Sequence, residues 1–358
     1  MNSRWFLSAR VFATALTLAL SLASARANMG VATLPETATG GAVALFYPTA
    51  AAERALQRGP FTLQVAVDAA PIAGNRRLVV VSHGSGGSPW VHTDLARALV
   101  DAGFIVAAPW HRGDNSRDDG RPGPDSWALR PAELSQAIDA VGRDARFAPL
   151  LELARVGVYG MSAGGHTALS MAGGRWSRAG FKQHCDANIA DDFNACVGLI
   201  TRLDGNVFDG MKIAVARTVI DWKFADATPQ AHHDPRVAAV VAAVPFAADF
   251  DMASLAAPAV PLALVTSGRD AWLAPRFHGE RVLAACKPCI RLVDLPSAGH
   301  GAWLSPFPPG LGGLVGDLLN DPPGFDRGAL PAADRTIAGF FSRQLLPATA
   351  LGQRDVPR

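Results

Sequence analysis

The pentapeptide Gly160-Met161-Ser162-Ala163-Gly164 constrains this chain more than any other stretch. A β-branched run, Val156-Gly157-Val158-Tyr159, enters it, and an alanine-rich stretch over 163–172 leaves it. G-x-S-x-G between a strand and a helix marks a tight turn that lifts a strained serine above a sheet edge. Side chains at the two flanking positions would meet neighbouring backbone, so glycine suits both. The helix beginning after Ser162 turns its positive dipole end toward the place where an oxyanion would form. In a chain with 35 glycines the bare pattern has a bland explanation, an ordinary glycine-rich strand–helix turn. The strand before it and the helix after it select the elbow instead.

Such an elbow needs a largely parallel sheet beneath it, and the apolar runs supply one. Strands are expected over 42–47, 61–67, 78–82, 104–108, 156–159, 237–244, 262–266 and 290–295. Trp90, Leu95, Ala98 and Leu99 have helical spacing, and further helices are expected over 131–141, 163–172, 276–285 and 332–345. Pro131 would occupy a first turn, where proline is favoured. Strands that are apolar throughout and separated by helices indicate an α/β fold, a mostly parallel central sheet covered on both faces. The interval 173–235 lacks this rhythm and reads as a lid-like insertion into a single domain over 28–358. The Pro/Gly-rich stretch 305–324 reads as a second long loop.

His83-Gly84-Ser85-Gly86-Gly87 follows the run Leu78–Ser82, where glycines let backbone N–H groups face a substrate. The N–H groups of Ser85 and Ala163 are the expected oxyanion donors, each typically worth about 3–4 kcal/mol to a transition state. A base and its orienting acid should follow the serine in the order Asp, then His. Ser267-Gly268-Arg269-Asp270 leaves one strand, and Ser297-Ala298-Gly299-His300-Gly301 leaves the next. The spacing therefore predicts a Ser162, Asp270, His300 triad on loops at the carboxyl ends of strands. Asp249 and Asp251 compete for the acid's role but lack that turn chemistry.

The remaining histidines carry blander readings. His83 is expected to bond loop backbone, His166 to pack in the elbow helix, and His111 to lie on a solvated loop or at the site mouth. His232-His233-Asp234 has no matching ligand spacing elsewhere, so no metal is expected. Trp110, Trp127, Trp176 and Trp222 fall in loops or in the insertion, either lining an apolar acyl pocket or anchoring their own segments.

Arg4 and Arg10 precede an apolar run over 11–23, and Ala25-Arg26-Ala27 offers small residues at a cleavage site. This reads as a signal peptide over 1–27, since a membrane-spanning helix needs about 20 apolar residues. Export to a periplasmic or extracellular space follows, with no stable membrane anchor. Net charge is +2, and no basic block is present to displace counterions, so no nucleic-acid partner is expected. Four cysteines suit an oxidising compartment. Of their three pairings the simplest is local, Cys185 with Cys196 and Cys286 with Cys289. Closing the first loop would contribute about 2–3 kcal/mol. A redox C-x-x-C would open a helix, whereas Cys286-Lys287-Pro288-Cys289 ends one.

Together, the segments Val81–Gly87, Pro109–Asn115, Gly160–Thr167, Asp234–Val237 and Ala298–His300 make the mature chain resemble the α/β-hydrolase superfamily. More narrowly, it resembles the dienelactone-hydrolase-like group related to platelet-activating-factor acetylhydrolase. The resemblance implies an α/β-hydrolase fold and a serine-type hydrolase of small-molecule esters that needs no cofactor. Dienelactone hydrolases carry a cysteine nucleophile where this elbow carries Ser162, so dienelactone itself is not implied as the substrate. A serine peptidase or acyl-aminoacyl hydrolase would share every one of these residues. A lipase or polyesterase would add an open apolar cleft, and a non-catalytic binding protein on this fold would usually lack a triad member.

Overall fold

A computed structural model describes residues 27–347 except 39 and 309; the signal peptide expected over 1–27 lies, but for its last residue, outside the described residues. The strands are β1 (Asn28–Leu34), β2 (Val43–Thr49), β3 (Arg54–Arg58), β4 (Phe61–Val67), β5 (Leu78–Ser82) and β6 (Ile105–Pro109). They continue with β7 (Val156–Met161), β8 (Arg175–Trp176), β9 (Val237–Ala243), β10 (Phe250–Asp251), β11 (Leu262–Ser267) and β12 (Ile290–Leu295). The helices are α1 (Thr93–Asp101), α2 (Pro124–Arg143), α3 (Ala163–Met171), α4 (Arg178–Asn188) and α5 (Phe193–Val197). After them come α6 (Asp209–Lys223), α7 (Met252–Leu255), α8 (Gly279–Ala285), α9 (Gly313–Leu319) and α10 (Leu330–Leu345).

Ten strands form one sheet in the order β12-β11-β9-β7-β5-β6-β2-β1-β4-β3, and β8 pairs with β10 in a separate ribbon. From β12 to β6 every neighbour is parallel, as crossover helices require, whereas β2 pairs antiparallel with β6 and with β1. The parallel strands bury both faces. In β5, Leu78 and Val80 join the layer beneath α2, α3 and α8, while Val79 and Val81 face α1 and α10. This two-sided burial explains why these strands are continuous apolar runs.

Two expectations need correction. The helix expected at Pro131 begins at Pro124, which takes the first-turn position, and Pro131 lies inside α2. The stretch 305–324 is not wholly loop, because Gly313–Leu319 forms α9. Between α3 and β9 the chain forms β8, α4, α5 and α6. Cys185–Cys196 and Cys286–Cys289 are both bonded, with Cα separations of 5.8 and 5.4 Å. Among the described residues no helix is long and apolar enough to cross a membrane.

Asp334 of α10 is buried where α10 packs on α1. Burial, reinforced by the nearby Asp94 charge, pushes its carboxyl up to about 7. A carboxyl raised in the folded state favours folding while protonated. That contribution is complete below the unfolded value near 3.8 and is lost as pH rises through about 7. Asp334→Asn is therefore expected to be more stable than the unaltered protein at pH 8, by roughly 2–4 kcal/mol. Chemical denaturation at pH 8 and pH 4 checks this, and an equal difference at both pH values contradicts it.

Candidate active site

The elbow is built by close backbone contacts. Ser162 adopts φ 59° and ψ −117°, a left-handed conformation that an L-residue enters only under constraint. The constraint comes from both sides, since its N–H donates to the Ala243 carbonyl at 3.0 Å. Its carbonyl accepts the N–H groups of His166 and Phe246 at 3.0 and 3.2 Å. A Cβ on Gly160 would lie 1.9 Å from the Gly164 oxygen, and one on Gly164 would lie 2.0 Å from the Ser82 oxygen. Both flanking glycines are thus required by backbone approach.

Ser162 is half-buried at the carboxyl end of β7, between the loops that follow β5 and β9. Its Oγ lies 2.9 Å from His300 Nε2, and His300 Nδ1 lies 2.7 Å from Asp270 Oδ2. The other Asp270 oxygen accepts the N–H groups of Trp272 and Leu273 at 2.9 and 2.8 Å, which fixes the carboxylate plane. Asp270 and His300 are both buried. Their loops are stitched together: Gly268 N–H donates to Leu295 O and Arg269 N–H to Ala298 O, each at 3.0 Å. The Trp303 indole N–H donates to Ser267 Oγ at 2.9 Å. The competing acids lie elsewhere. Asp249 Oδ2 is 3.1 Å from His166 Nε2, and the exposed Asp251 pairs with Arg175.

The loop after β5 lies against the serine, since a Cβ on Gly84 would sit 3.4 Å from Ser162 Cβ. Among the described residues the N–H groups of Ser85 and Ala163 donate to no backbone acceptor outside the regular helices and strands. The loop itself is anchored by residues that sequence reasoning missed. Asp114 accepts the Ser85 hydroxyl at 2.6 Å and the Gly86 N–H at 2.8 Å through one oxygen. Its other oxygen accepts from Arg130 at 2.8 Å, and both side chains are fully buried. Burial alone would raise the Asp114 carboxyl, but the Arg130 guanidinium and the two loop donors outweigh it and hold it below its ordinary value.

His111 corrects the sequence reading, being neither solvated nor at a mouth but fully buried. Its Nε2 is 2.8 Å from Ser82 Oγ and its Nδ1 is 2.6 Å from Glu133 Oε2. Burial pulls its pKa well below the usual histidine value. The neutral ring therefore donates to Glu133 and accepts the Ser82 hydroxyl. A legible signal for these partners was two charged residues, Arg130 and Glu133, spaced one helical turn apart beside apolar positions. Starting the helix at Pro131 hid it.

The other candidates fall into place. His83 Nδ1 bonds the Gly84 carbonyl at 2.7 Å. His166 is fully buried and stacks on Trp127 with ring centroids 4.8 Å apart. Trp127 and Trp176 belong to one aromatic cluster with Phe181 and Phe246, Trp110 packs on Trp90, and Trp222 is exposed. His232 bonds Ser135, and Asp234 pairs with Arg236. Among the described residues no three His, Cys, Asp or Glu side chains gather as a metal site. The segment bridged by Cys185–Cys196 is tied to the Asp270 loop. Asp192 Oδ2 lies 2.8 Å from His184 Nε2 and 3.0 Å from His278 Nε2, and the Asn194 side chain donates to Ala271 O at 3.1 Å.

No protein-family model matches the chain, and no curated protein matches it. Among solved structures it is similar to a ferulic acid esterase from Streptomyces cinnamoneus, with a TM-score of 0.57 and 19% identity. The likeness covers 94% of this chain and 95% of that one. At that identity the comparison speaks to fold. With the sheet order and the strand–turn–helix at Ser162, it defines an α/β-hydrolase fold.

Proposed function

We propose that this chain is a serine hydrolase that cleaves carboxylic esters. The observation that carries the reading is the unbroken chain of hydrogen bonds from Ser162 through His300 to Asp270. Ser162 Oγ attacks the ester carbonyl as His300 takes its proton, and Asp270 holds the ring tautomer and stabilises the imidazolium. The Ser85 and Ala163 N–H groups receive the oxyanion. His300 then protonates the leaving alcohol. Water, deprotonated by His300, attacks the acyl-enzyme, and collapse of the second tetrahedral intermediate frees the acid and restores Ser162. The scheme uses no cofactor or metal. Small esters are favoured because the solved structure of similar fold is a ferulic acid esterase. The finer placement, beside the dienelactone-hydrolase-like and platelet-activating-factor acetylhydrolase group, rests on the sequence resemblance alone. Export, expected from the first 27 residues, is supported by the two disulfides.

A panel of short-chain nitrophenyl esters and matched nitroanilides tests this. Ester turnover well above anilide turnover is expected; faster anilide cleavage moves the assignment to a peptidase, and no turnover of either contradicts it. A second reading, hydrolysis of water-insoluble esters, is favoured by one observation. Phe208, Met211, Val215, Val219 and Trp222 form an exposed apolar stripe along α6 of the insertion. Activity that rises when a long-chain ester passes its solubility limit would support it.

A further inference from the structure

The buried Asp114–Arg130 pair has no place in the chemistry above, yet three of the bonds it makes end on the loop beside Ser162. Arg130 is fully buried on α2, and all its donor nitrogens are engaged. Nε donates to Ser126 Oγ at 2.8 Å, one terminal nitrogen to the His83 carbonyl at 2.6 Å, and the other to Asp114. Asp114 in turn takes the Ser85 hydroxyl and the Gly86 N–H on a single oxygen. Three residues of the loop, His83 at its carbonyl, Ser85 at its hydroxyl and Gly86 at its N–H, are thereby tied to one buried ion pair. A second tie runs parallel: Ser116 N–H donates to the Gly87 carbonyl at 2.8 Å. Glu133, one turn along α2 from Arg130, holds the start of the Asp114 segment by accepting the Arg112 N–H at 3.0 Å.

A loop held this way serves a purpose. Gly84, Gly86 and Gly87 give the segment wide backbone freedom, and Ser85 and Gly86 are exposed. An oxyanion donor works only if its N–H already points to where the charge develops. We propose that Asp114 and Arg130 are positioning residues that hold the Ser85 N–H in its oxyanion-binding orientation, with the Ser85 hydroxyl as the tether. This rests on the ester-hydrolase reading and adds to it the means by which a glycine-rich loop is kept pre-organised. A misplaced donor affects the tetrahedral species and leaves substrate binding nearly unchanged, so the effect falls on kcat and leaves KM alone.

The test uses the full-length mature protein and the variants Ser85→Ala, Ser85→Thr and Asp114→Ala. Active sites are counted by the endpoint of fluorophosphonate labelling, so that kcat is expressed per labelled serine. Ser85→Ala keeps the N–H and the ion pair but removes the tether. It is expected to lower kcat about tenfold with KM within twofold, and to weaken a trifluoromethyl ketone inhibitor, which forms a tetrahedral oxyanion, by a similar factor. Ser85→Thr, which retains a hydroxyl, is expected to recover most of the rate. Asp114→Ala should lower kcat further, and adding Ser85→Ala to it should cost little more, because both act on one loop. A merely structural role would reduce melting temperature and the number of labelled sites while leaving kcat per site and inhibitor affinity unchanged. That result overturns the proposal, and Ser85→Ala alone decides it should Asp114→Ala fail to fold. The unaltered protein separates the two levels: absence of ester turnover overturns the hydrolase reading and this one with it. Turnover that persists undiminished in Ser85→Ala overturns this one alone.

Discussion

Ser162→Ala is expected to lower kcat for a short-chain nitrophenyl ester by about 10⁴- to 10⁶-fold while leaving the melting temperature within a degree or two of the unaltered protein. The size follows from the unit that Ser162 forms with His300 and Asp270, joined at 2.9 and 2.7 Å. On the proposed mechanism, removing the nucleophile leaves the imidazole without a partner to activate, so the remaining catalysis is whatever the oxyanion donors supply to attack by water. His300→Ala should cost about as much, and the double variant no more than either single one, because members of one catalytic unit are grossly non-additive. The fold should survive because Ser162 is only half-buried and its backbone is held by the Ala243, His166 and Phe246 bonds, none of which involves its side chain. Steady-state kinetics and thermal melts of the three variants check this. Single losses that multiply in the double variant would show that Ser162 and His300 act separately.

The largest effect on stability is expected from Gly164→Ala. The added carbon would lie 2.0 Å from the Ser82 carbonyl oxygen and 2.9 Å from that of His83, both backbone atoms that cannot rotate away. Relief requires α3 to part from the end of β5 by about 1 Å, which disrupts the packing of Ser162 and of the loop carrying Ser85 together. A cost of at least about 3 kcal/mol and near-complete loss of ester turnover are expected. Gly210, on α6 with open space around it, supplies the control: Gly210→Ala should be neutral or stabilise by up to about 1 kcal/mol. Equilibrium unfolding of both variants decides the matter. A neutral Gly164→Ala would mean that the elbow is looser than its contacts indicate.

What was legible in the sequence is what local chemistry dictates. The parallel strands β5, β6, β7, β9 and β11 are buried on both faces, so each is an apolar run that cannot be mistaken for solvent-facing chain. The elbow was legible because glycine at two fixed offsets has a steric reason, and the neighbouring positions of Asp270 and His300 because each lies on the loop after one of two adjacent strands, β11 and β12. Elements whose form depends on partners were not. β3 is a largely exposed strand with arginine at both ends, and only its pairing with β4 makes it a strand. The insertion hid its helices because α6 is apolar on two sides: Ile220 faces inward, while Met211, Val215 and Trp222 face solvent, so no single helical stripe stands out. The Asp114–Arg130 pair joins a loop to a helix whose start was misread, and nothing local to either residue says that the other will be its partner.

The proposed function stands or falls on Ser162 being the activated nucleophile. Reaction of the protein with a fluorophosphonate, followed by proteolysis and mass spectrometric location of the adduct, measures this. One adduct per chain is expected, on the peptide bearing Ser162, formed rapidly in the unaltered protein, slowed greatly in His300→Ala and absent in Ser162→Ala. An adduct on another residue, or none in a folded protein, would contradict it.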